Sequence, residues 1–522
     1  MVGKHALDAG RYRGRLGRLR WELAGPFGKL KWGSFAATLL VIAVVNAWNL
    51  AQYPSYFDDE GTYYSQAWAI HELGQLSPYT YWYDHPPLGW IQLSAFTWLT
   101  DPLFGGTAAL LSGRVVMLGF GLVTAVLLFV LGRRLGLRQG YAVLGMALWG
   151  LSPLTGLEMR QIFLDNIALA WLIAAFVFVT SRRQDLWHYC AAGLCFGIAV
   201  LSKETFLLAA PGLIVALGHY GFRPTRVFGL VGFSMFTVLA GAAYVLLAAL
   251  KSELMPGPDR VSLWDAMVFQ LGSRAGSGSI LTAGTEANGY LQNWLQTDPV
   301  LIPAGLAAGV VCLLLPAVRS IAVTIAVFTL MALRPGGYLP GMYVIVLLPF
   351  FALAIAAVLD RAHGLAASSA RPHRRVVGLG AVAVLLAGAI LAVAPAWWER
   401  TAVAMAADTN VAHDDAVAWA AANLDKQSLI VSDNTYWNDL VNAGWDPGWD
   451  GAVWFYKVDL DPAFGTHHPD GWRAIDYLVW NSTISGNSNA IPLVRQAYDH
   501  SVLLQTFGAG PDTVEIRKVV TQ

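Results

Sequence analysis

The stretch SFAATLLVIAVVNAWNLAQ occupies residues 34–52, and YPSYFDDEGTYY follows it directly at residues 53–64. The first stretch carries no charge and is long enough to cross a bilayer, which takes about 20 predominantly apolar residues. A secretory signal has a shorter apolar core and a small-residue cleavage site, and no such site follows here. The sequence therefore predicts a retained first membrane span whose outer end leads into an acidic and aromatic segment.

The composition of the whole chain agrees with a membrane protein. Charged residues make up 13% of the 522 residues and apolar residues 56%, whereas soluble proteins carry about 25% charge. The 34 Lys and Arg balance the 34 Asp and Glu, which excludes a nucleic-acid binder driven by net positive charge. All three cysteines fall in apolar stretches, so we predict no structural disulfide. We therefore expect a polytopic membrane protein rather than a soluble enzyme or a disordered chain.

Further apolar stretches predict about eleven transmembrane helices in a mainly α-helical fold. Of the 34 Lys and Arg, 20 fall in alternate segments that lie inside if the N-terminus is inside, and the first outside loop has none. The positive-inside rule then predicts an N-in, C-out topology. The stretches after the first lie near residues 109–131, 140–157, 165–180, 187–202, 205–220, 226–250, 298–316, 320–333, 338–359 and 376–395.

The spans divide the chain into three predicted domains. Residues 1–31 predict a cytoplasmic, basic amphipathic arm, and residues 32–396 predict the transmembrane domain. That domain has an outside loop at 53–108 and a Gly/Ser-rich loop at 251–297, which we expect to be mobile. Residues 397–522 predict a soluble α/β domain outside the membrane. Its predicted helices are Asp414–Leu424 and Thr435–Asn442, and its predicted strands are Ser428–Ser432, Tyr477–Trp480 and Thr513–Val519.

Three consecutive carboxylates, Asp58, Asp59 and Glu60, follow the first span. In one interpretation they begin a helix, with Asp58 as its N-cap and Glu60 in the first turn, where the helix dipole favours negative charge. In the other, one carboxylate is held at the membrane surface as a general base or as part of a metal site. Both interpretations stay open, because either environment can compensate the mutual repulsion of the three charges.

Ionisable residues recur in the other outside loops. Asp84 and His85 precede a Pro-Pro pair in the first loop, Asp165 lies in the next short loop, and Lys203 lies in the one after that. Simple ion pairs, such as Lys203 with Glu204, would explain some of them. Ionisable groups at membrane edges usually mark pathways or sites, and all these loops reach the same outer plane. We therefore expect the groups to converge.

Basic residues are scarce in the predicted outside loops, so the presence of Arg160, Lys203, Arg274 and Arg334 there needs an explanation. A phosphate at the outer leaflet would supply one, because charge-assisted hydrogen bonds to phosphate oxygens are strong. An arginine that snorkels from a helix end is the alternative for Arg334. The candidate substrate-binding set is Asp84, His85, Arg160, Lys203, Arg334, Tyr338 and Tyr343.

Four motifs together resemble a known family: FDDEGTYY (57–64), YDHPPLGW (83–90), RQIFLDN (160–166) and LSKE (201–204). They are similar to the GT-C membrane glycosyltransferases, which take sugars from polyprenyl phosphates. The likeness is to the branch that holds protein O-mannosyltransferases (glycosyltransferase family 39) and lipid A aminoarabinose transferases, and it covers roughly residues 35–360. It implies a GT-C fold and an inverting hexosyl- or pentosyltransferase of the bacterial plasma membrane, with an extracytoplasmic site and a role in the cell envelope.

The resemblance also implies roles for single residues. Asp59 matches the Asp of the family's Asp-Glu pair, the expected general base, with Glu60 beside it, although Asp58 leaves a one-residue ambiguity. Asp165 matches a carboxylate of the second loop, and Lys203 matches a lysine that contacts phosphate. The implied catalytic set is Asp58, Asp59, Glu60 and Asp165.

The first loop departs from the family pattern at one position. Asp84 matches the acidic residue before the Pro-Pro, which in some relatives helps to hold a metal, and His85 stands where a Lys is usual. Asp59 and Asp84 are therefore the candidate ligands of a divalent cation (Mg, Mn or Zn). The resemblance implies a polyprenyl-phosphate-linked sugar as donor and a glycan, lipid or protein as acceptor, with no nucleotide and no nucleic acid.

Two other classes of function remain open from the residues alone. A transporter or flippase would bind a coupling cation at the outer carboxylates, but it would also have charged or broken spans near the bilayer midplane. A non-catalytic protein could bind lipid-linked sugar and present the C-terminal domain to partners. The polar residues cluster at the outer edge of the spans, which favours the transferase.

Overall fold

The computed structural model describes residues 32–106, 108–257 and 260–520. The predicted basic arm, residues 1–31, lies outside the described residues. The α-helices of the membrane region are α1 (Trp32–Ala47), α2 (Asp58–Leu73), α3 (Leu88–Phe104), α4 (Ala109–Arg134), α5 (Gln139–Gly150), α6 (Pro153–Arg160), α7 (Leu164–Val179), α8 (Leu186–Ser202), α9 (Ala210–Tyr220), α10 (Arg226–Leu250), α11 (Leu263–Val268), α12 (Glu286–Thr297), α13 (Leu301–Leu313), α14 (Arg319–Ala332), α15 (Leu347–Ala367) and α16 (Pro372–Ala406).

Every apolar stretch predicted as a span is helical within the described chain, but the helices differ in length. Four helical stretches, which begin at Ala109, Arg223, Gly341 and Pro372, are long and apolar enough to cross a membrane. Two further candidates are bent pairs: α5 and α6 meet at 61°, and α12 and α13 meet at 97°. The remaining apolar helices are shorter, so the number of spans stays a prediction while the helical membrane fold is confirmed.

Helices also form inside the two segments that the sequence presents as outside loops. The first loop contains α2 and α3, and the second contains α11, a π-helical turn at Phe269–Ser273 and α12. Helix α2 begins at Asp58, with Phe57 as its N-cap, so Asp58 is its first helical residue and not the cap. The Glu60 carboxylate accepts a hydrogen bond from the Phe57 N–H at 3.1 Å, which closes this helix start.

The C-terminal segment, residues 411–520, has its own hydrophobic core. Its sheet has the strand order β2-β1-β3-β5-β4, in which β2, β1 and β3 are parallel and β5 is antiparallel to β3 and β4. Its strands are β1 (Ile430–Ser432), β2 (Ala452–Trp454), β3 (Tyr477–Trp480), β4 (Ser501–Phe507) and β5 (Val514–Val519). Its helices are α17 (Val411–Asn423), α18 (Asn434–Ala443), α19 (Phe455–Leu460), α20 (Pro462–His467), α21 (Ser482–Gly486) and α22 (Pro492–Asp499).

The C-terminal segment packs tightly on the first turns of α2. A Cβ atom added to Gly61 would lie 2.2 Å from the carbonyl carbon of Asn434, so only glycine fits at this contact. The side chain of Asn434 donates a hydrogen bond to the Thr62 hydroxyl, and Asn438 donates to the Gly61 carbonyl at 3.4 Å. The carboxyl ends of the parallel strands, where Asn434 lies, therefore face α2.

Candidate active site

The buried phenol of Tyr63 on α2 marks the point where the predicted groups meet. Tyr63 is 2% exposed. Burial raises its pKa well above the ordinary range, and the charges of Asp59, Asp165, Asp84 and Glu204 raise it further. Carboxylates from three different loops therefore surround one aromatic ring, which is the convergence that the sequence predicts.

A chain of polar contacts connects three of these loops. The Lys203 ammonium lies 3.0 Å from His85 Nε2, and His85 Nδ1 lies 3.0 Å from the Glu204 carboxylate. Lys203 also donates a hydrogen bond to the Tyr63 hydroxyl at 3.4 Å and lies 4.0 Å from Asp165. Since Lys203 can only donate, His85 accepts at Nε2 and carries its proton on Nδ1, which faces Glu204. His85 therefore holds the lysine in place.

The three consecutive carboxylates point in three directions, because successive residues of a helix are about 100° apart. Glu60 points into the protein, where its fully buried carboxylate receives two hydrogen bonds from Arg114, at 2.9 and 2.7 Å. The N–H of Ile162 donates to it at 3.0 Å. Glu60 is thus part of a buried ion pair and not a free carboxylate of the site.

Asp58 points towards the C-terminal segment. Burial raises its pKa well above the ordinary range, and the neighbouring charges of Asp433 and Asp59 act in the same direction. The backbone N–H of Asn434 has the opposite effect. One oxygen of Asp58 is buried without a hydrogen-bond partner among the described residues. Asp433 itself is fixed as the N-cap of α18, where it accepts the N–H of Thr435 at 2.9 Å.

Asp59 is the one of the three that faces the cluster. Within the described ranges, no hydrogen bond or ion pair engages its carboxylate. Its charge acts on the phenol of Tyr338, whose pKa is raised by burial first. The carboxylates of Asp59 and Glu286 raise this pKa further, and the cations Arg274 and Lys203 lower it. Asp59 therefore shares one electrostatic environment with Lys203 and Arg274.

The loop after α11 supplies an arginine that the candidate substrate-binding set does not include. The Arg274 guanidinium lies 3.4 Å from the centre of the Tyr338 ring and donates a hydrogen bond to Gln270 at 2.7 Å. Gln270 in turn donates to the backbone carbonyl of Asp84 at 3.2 Å. The sequence marks Arg274 as one of the few basic residues in the predicted outside loops, and it places the partner Tyr338 in the candidate substrate-binding set.

The C-terminal segment contributes a second unexpected cation. Lys457 is 2% exposed, and its ammonium lies 3.3 Å from the centre of the Trp82 ring. It donates to the carbonyl of Thr80 at 2.7 Å and to the Asp461 carboxylate at 3.2 Å. Burial lowers the pKa of Lys457 to about 8, while Asp461 and Asp84 act in the opposite direction. No sequence motif pointed to this lysine.

The structure does not bring every predicted residue to this cluster. Arg160 lies at the end of α6 and donates to the carbonyl of Val45 at 2.8 Å, beside a separate cavity. Arg334 is exposed. The hydroxyl of Tyr343 donates to the carbonyl of Phe328 inside the core. The predicted residues that do meet are Asp59, Asp84, His85, Asp165, Lys203 and Tyr338.

The structure brings the two predicted metal ligands near the same phenol but adds no further ligand group. Among the described residues, no three or more His, Cys, Asp or Glu side chains come together as a group that could hold a metal ion. Asp59 and Asp84 both lie near Tyr63, but His85 already has both ring nitrogens in contact with Glu204 and Lys203. A divalent cation held by Asp59 and Asp84 therefore stays a prediction.

Two proteins of known structure are similar to this chain along most of its length. ArnT from Cupriavidus metallidurans in the apo state has a TM-score of 0.59 at 14% identity, covering 94% of this chain and 99% of ArnT. Its structure with undecaprenyl phosphate gives 0.56 at 15% identity and the same coverage. The AglB oligosaccharyltransferase of Archaeoglobus fulgidus, with an inhibitory peptide and a dolichol-phosphate, gives 0.53 at 14% identity, covering 94% of this chain and 74% of AglB.

Another structure of the Archaeoglobus oligosaccharyltransferase, which holds Zn and sulfate, gives a TM-score of 0.50 at 13% identity, covering 91% of this chain and 73% of that one. ArnT and AglB are both GT-C glycosyltransferases. This chain has the GT-C fold. The GT-C fold that the motifs implied is thus confirmed. No protein-family model and no curated protein matches the sequence.

Proposed function

We propose that the chain is a membrane glycosyltransferase that moves a sugar from a polyprenyl-phosphate donor to an acceptor hydroxyl on the extracytoplasmic face. The observation that carries this proposal is the unpaired carboxylate of Asp59 in one cluster with the cations Lys203 and Arg274. A base and a phosphate-binding pair are the two elements that such a transfer requires. The fold neighbours, which bind undecaprenyl phosphate and dolichol-phosphate, support the choice of donor.

The transfer is a single displacement with inversion at the anomeric carbon. Asp59 takes the proton of the acceptor hydroxyl, and the acceptor oxygen forms a bond to the anomeric carbon. The bond from that carbon to the phosphate oxygen breaks, and its electron pair leaves with the polyprenyl phosphate. Lys203 and Arg274 stabilise the negative charge that develops on the leaving phosphate, where charge-assisted donors contribute most. The protein's own residues supply each of these roles.

Asp59, and not Asp58, is the base in this proposal. The Asp58 carboxylate faces Asp433 of the C-terminal segment, and burial together with the charge of Asp433 raises its pKa. Asp59 has no partner among the described residues and lies in the cluster with the cations. His85 and Glu204 hold Lys203 in position, and Glu60 with Arg114 fixes the start of α2. The C-terminal segment covers the same turn from outside.

The experiment is sugar release from synthetic polyprenyl-phospho-sugars by the purified protein, with acceptor extract present. Loss of a general base lowers the rate by about 10²–10⁴-fold, so we expect this loss for Asp59→Asn. Asp58→Asn is the matched control, because it changes the adjacent carboxylate in the same way, and we expect it to retain most of the activity. Turnover that survives in Asp59→Asn and is lost in Asp58→Asn would transfer the role to Asp58. If the protein turned over none of the donors, the proposed transferase activity would be refuted.

A further inference from the structure

A cavity of about 430 Å³ lies beside α6, apart from the Tyr63 cluster. The end of α1, the bend between α5 and α6, the end of α12 and the outer part of α16 form its walls. The polar side chains that line it include Asn46, Ser152, Arg160, Asn293, Glu399 and Arg400. None of the residues that line the cavity belongs to the Tyr63 cluster, so the cavity is distinct from the proposed active site.

Arg160 is the decisive residue of this cavity. It is 2% exposed, and only its Nη2 atom is engaged, with the carbonyl of Val45. Its Nε and Nη1 donors have no hydrogen-bond partner among the described residues. A guanidinium stays protonated at physiological pH, so this is a buried positive charge with two free donors. Such a charge is unfavourable unless an opposite charge and hydrogen-bond acceptors compensate it.

The described residues compensate this charge only in part, through the Val45 carbonyl and the Tyr53 ring. No ion pair with a carboxylate forms at Arg160 within the described ranges. The Tyr53 ring lies 5.5 Å from its Cζ. The other charge that acts on Arg160 is a cation, Arg114, which Glu60 already neutralises. The one carboxylate of the lining, Glu399, is exposed on α16 next to Arg400. Two guanidinium donors of Arg160 are thus free to bind an anion in the cavity.

The surroundings of the cavity select an amphiphilic anion. Val403 of α16 lines the cavity and is 60% exposed, and Trp398 of the same helix is 71% exposed. Trp48, at the end of α1, is 58% exposed. Exposed tryptophans beside an apolar helix surface are typical of the headgroup layer of a bilayer. An anion that reaches Arg160 from this side would carry apolar chains along α16.

We infer that this cavity binds the phosphate headgroup of an anionic lipid, with Arg160 as the phosphate-binding residue. Nε and Nη1 donate to two phosphate oxygens, the fork geometry for which arginine is suited. The cavity is within the size range of small-ligand sites. The site is separate from the proposed catalytic cluster, so its test needs no turnover.

The test measures lipid binding to the full-length protein by native mass spectrometry. The probes are dioleoyl phosphatidic acid, dioleoylglycerol, which lacks the phosphate, and inorganic phosphate as a competitor. We expect wild type to retain one phosphatidic acid that dioleoylglycerol does not replace, and we expect Arg160→Met to bind it at least tenfold more weakly. Equal retention by wild type and Arg160→Met would overturn the proposal. Displacement of the lipid by an equal concentration of inorganic phosphate would identify a free-phosphate site and overturn the lipid assignment.

A second variant keeps the proposal testable if Arg160→Met does not fold. Val403→Trp narrows the cavity from the exposed side of α16 and leaves Arg160 in place. The matched control is Leu391→Trp, an exposed position of the same helix outside the cavity lining. We expect Val403→Trp to lose the retained lipid and Leu391→Trp to keep it. Retention by both variants would contradict a lipid in this cavity.

Discussion

The buried ion pair between Glu60 and Arg114 allows a quantitative prediction about stability. Arg114→Met keeps an extended side chain but removes both donors to Glu60, at 2.9 and 2.7 Å. It also removes the hydrogen bond to the carbonyl of Leu50 at 3.0 Å. The Glu60 carboxylate then keeps only two backbone N–H groups, and water cannot replace the guanidinium because both side chains are fully buried.

Removal of one partner of a buried ion pair costs about 3–5 kcal/mol, because the other charge is left uncompensated. We expect Arg114→Met to lose about this much free energy of unfolding. The double variant Glu60→Gln/Arg114→Met removes the orphaned charge and should recover about 1–3 kcal/mol of the loss. The measurement is denaturant unfolding of the purified protein in detergent, followed by tryptophan fluorescence.

The control for this prediction is another arginine that forms an ion pair but is partly exposed. Arg138 contacts Asp360 at 2.9 Å, but its side chain is 43% exposed, so water can solvate the remaining charge. Pairs of this kind contribute about 0–1 kcal/mol, which is the loss we expect for Arg138→Met. If Arg114→Met lost no more stability than Arg138→Met, the assignment of Glu60 to a structural pair would be refuted.

Three further predictions concern α2 and the C-terminal segment. Asp58→Asn should stabilise the protein at neutral pH. The pKa of Asp58 is raised in the folded protein, so the stability of wild type falls as the pH rises above the ordinary aspartate range. Thermal unfolding at several pH values measures this fall, and the variant should not show it. Gly61→Ala should push Asn434 away from α2 and lower turnover by about 10²-fold, because a misplacement of about 1 Å has an effect of this size. The control Gly119→Ala has open space around the new methyl group and should keep the wild-type turnover. An unchanged turnover rate in Gly61→Ala would contradict the tight contact. The pKa of Lys457 is about 8 in the folded protein and 10.5 ordinarily, so between these pH values the unfolded chain binds more protons than the folded protein. Wild type should therefore gain stability relative to Lys457→Met as the pH rises from 8 to 10.5, as measured by thermal unfolding. A stability difference that does not change with pH would argue against the burial of the Lys457 charge.

The sequence predicted the membrane helices and the convergence of the outer loops, because apolar length and charge position depend only on local composition. The strands at Tyr477–Trp480 and near Val514–Val519 were also predicted, the first from a short run of apolar β-formers and the second from its alternation of apolar and charged residues. The strand Ala452–Trp454 was missed because three residues are too short for a periodic pattern. The strand Ser501–Phe507 was missed because it is an edge strand with little burial.

The direction of side chains around a helix could not be predicted in the same way. Asp59 and Glu60 are adjacent in sequence, yet one faces the cluster and the other a buried arginine, because each step along a helix turns by about 100°. Arg160 lies at the predicted membrane edge but faces another cavity. Lys457 reaches the site only through the packing of the C-terminal segment on α2, a contact between residues far apart in sequence.

The fit of Gly61 against Asn434 has a consequence for exchanging parts between proteins of this fold. The same turn of α2 that carries Asp59 is shaped to the backbone of the C-terminal segment, and the hydroxyl of Tyr79 donates to the carbonyl of Ala452 farther along the same contact. A chimaera that replaces residues 411–520 alone would place a foreign backbone on a surface without room for one extra carbon atom. The transferable unit is therefore discontinuous: it consists of residues 411–520 together with the start of α2.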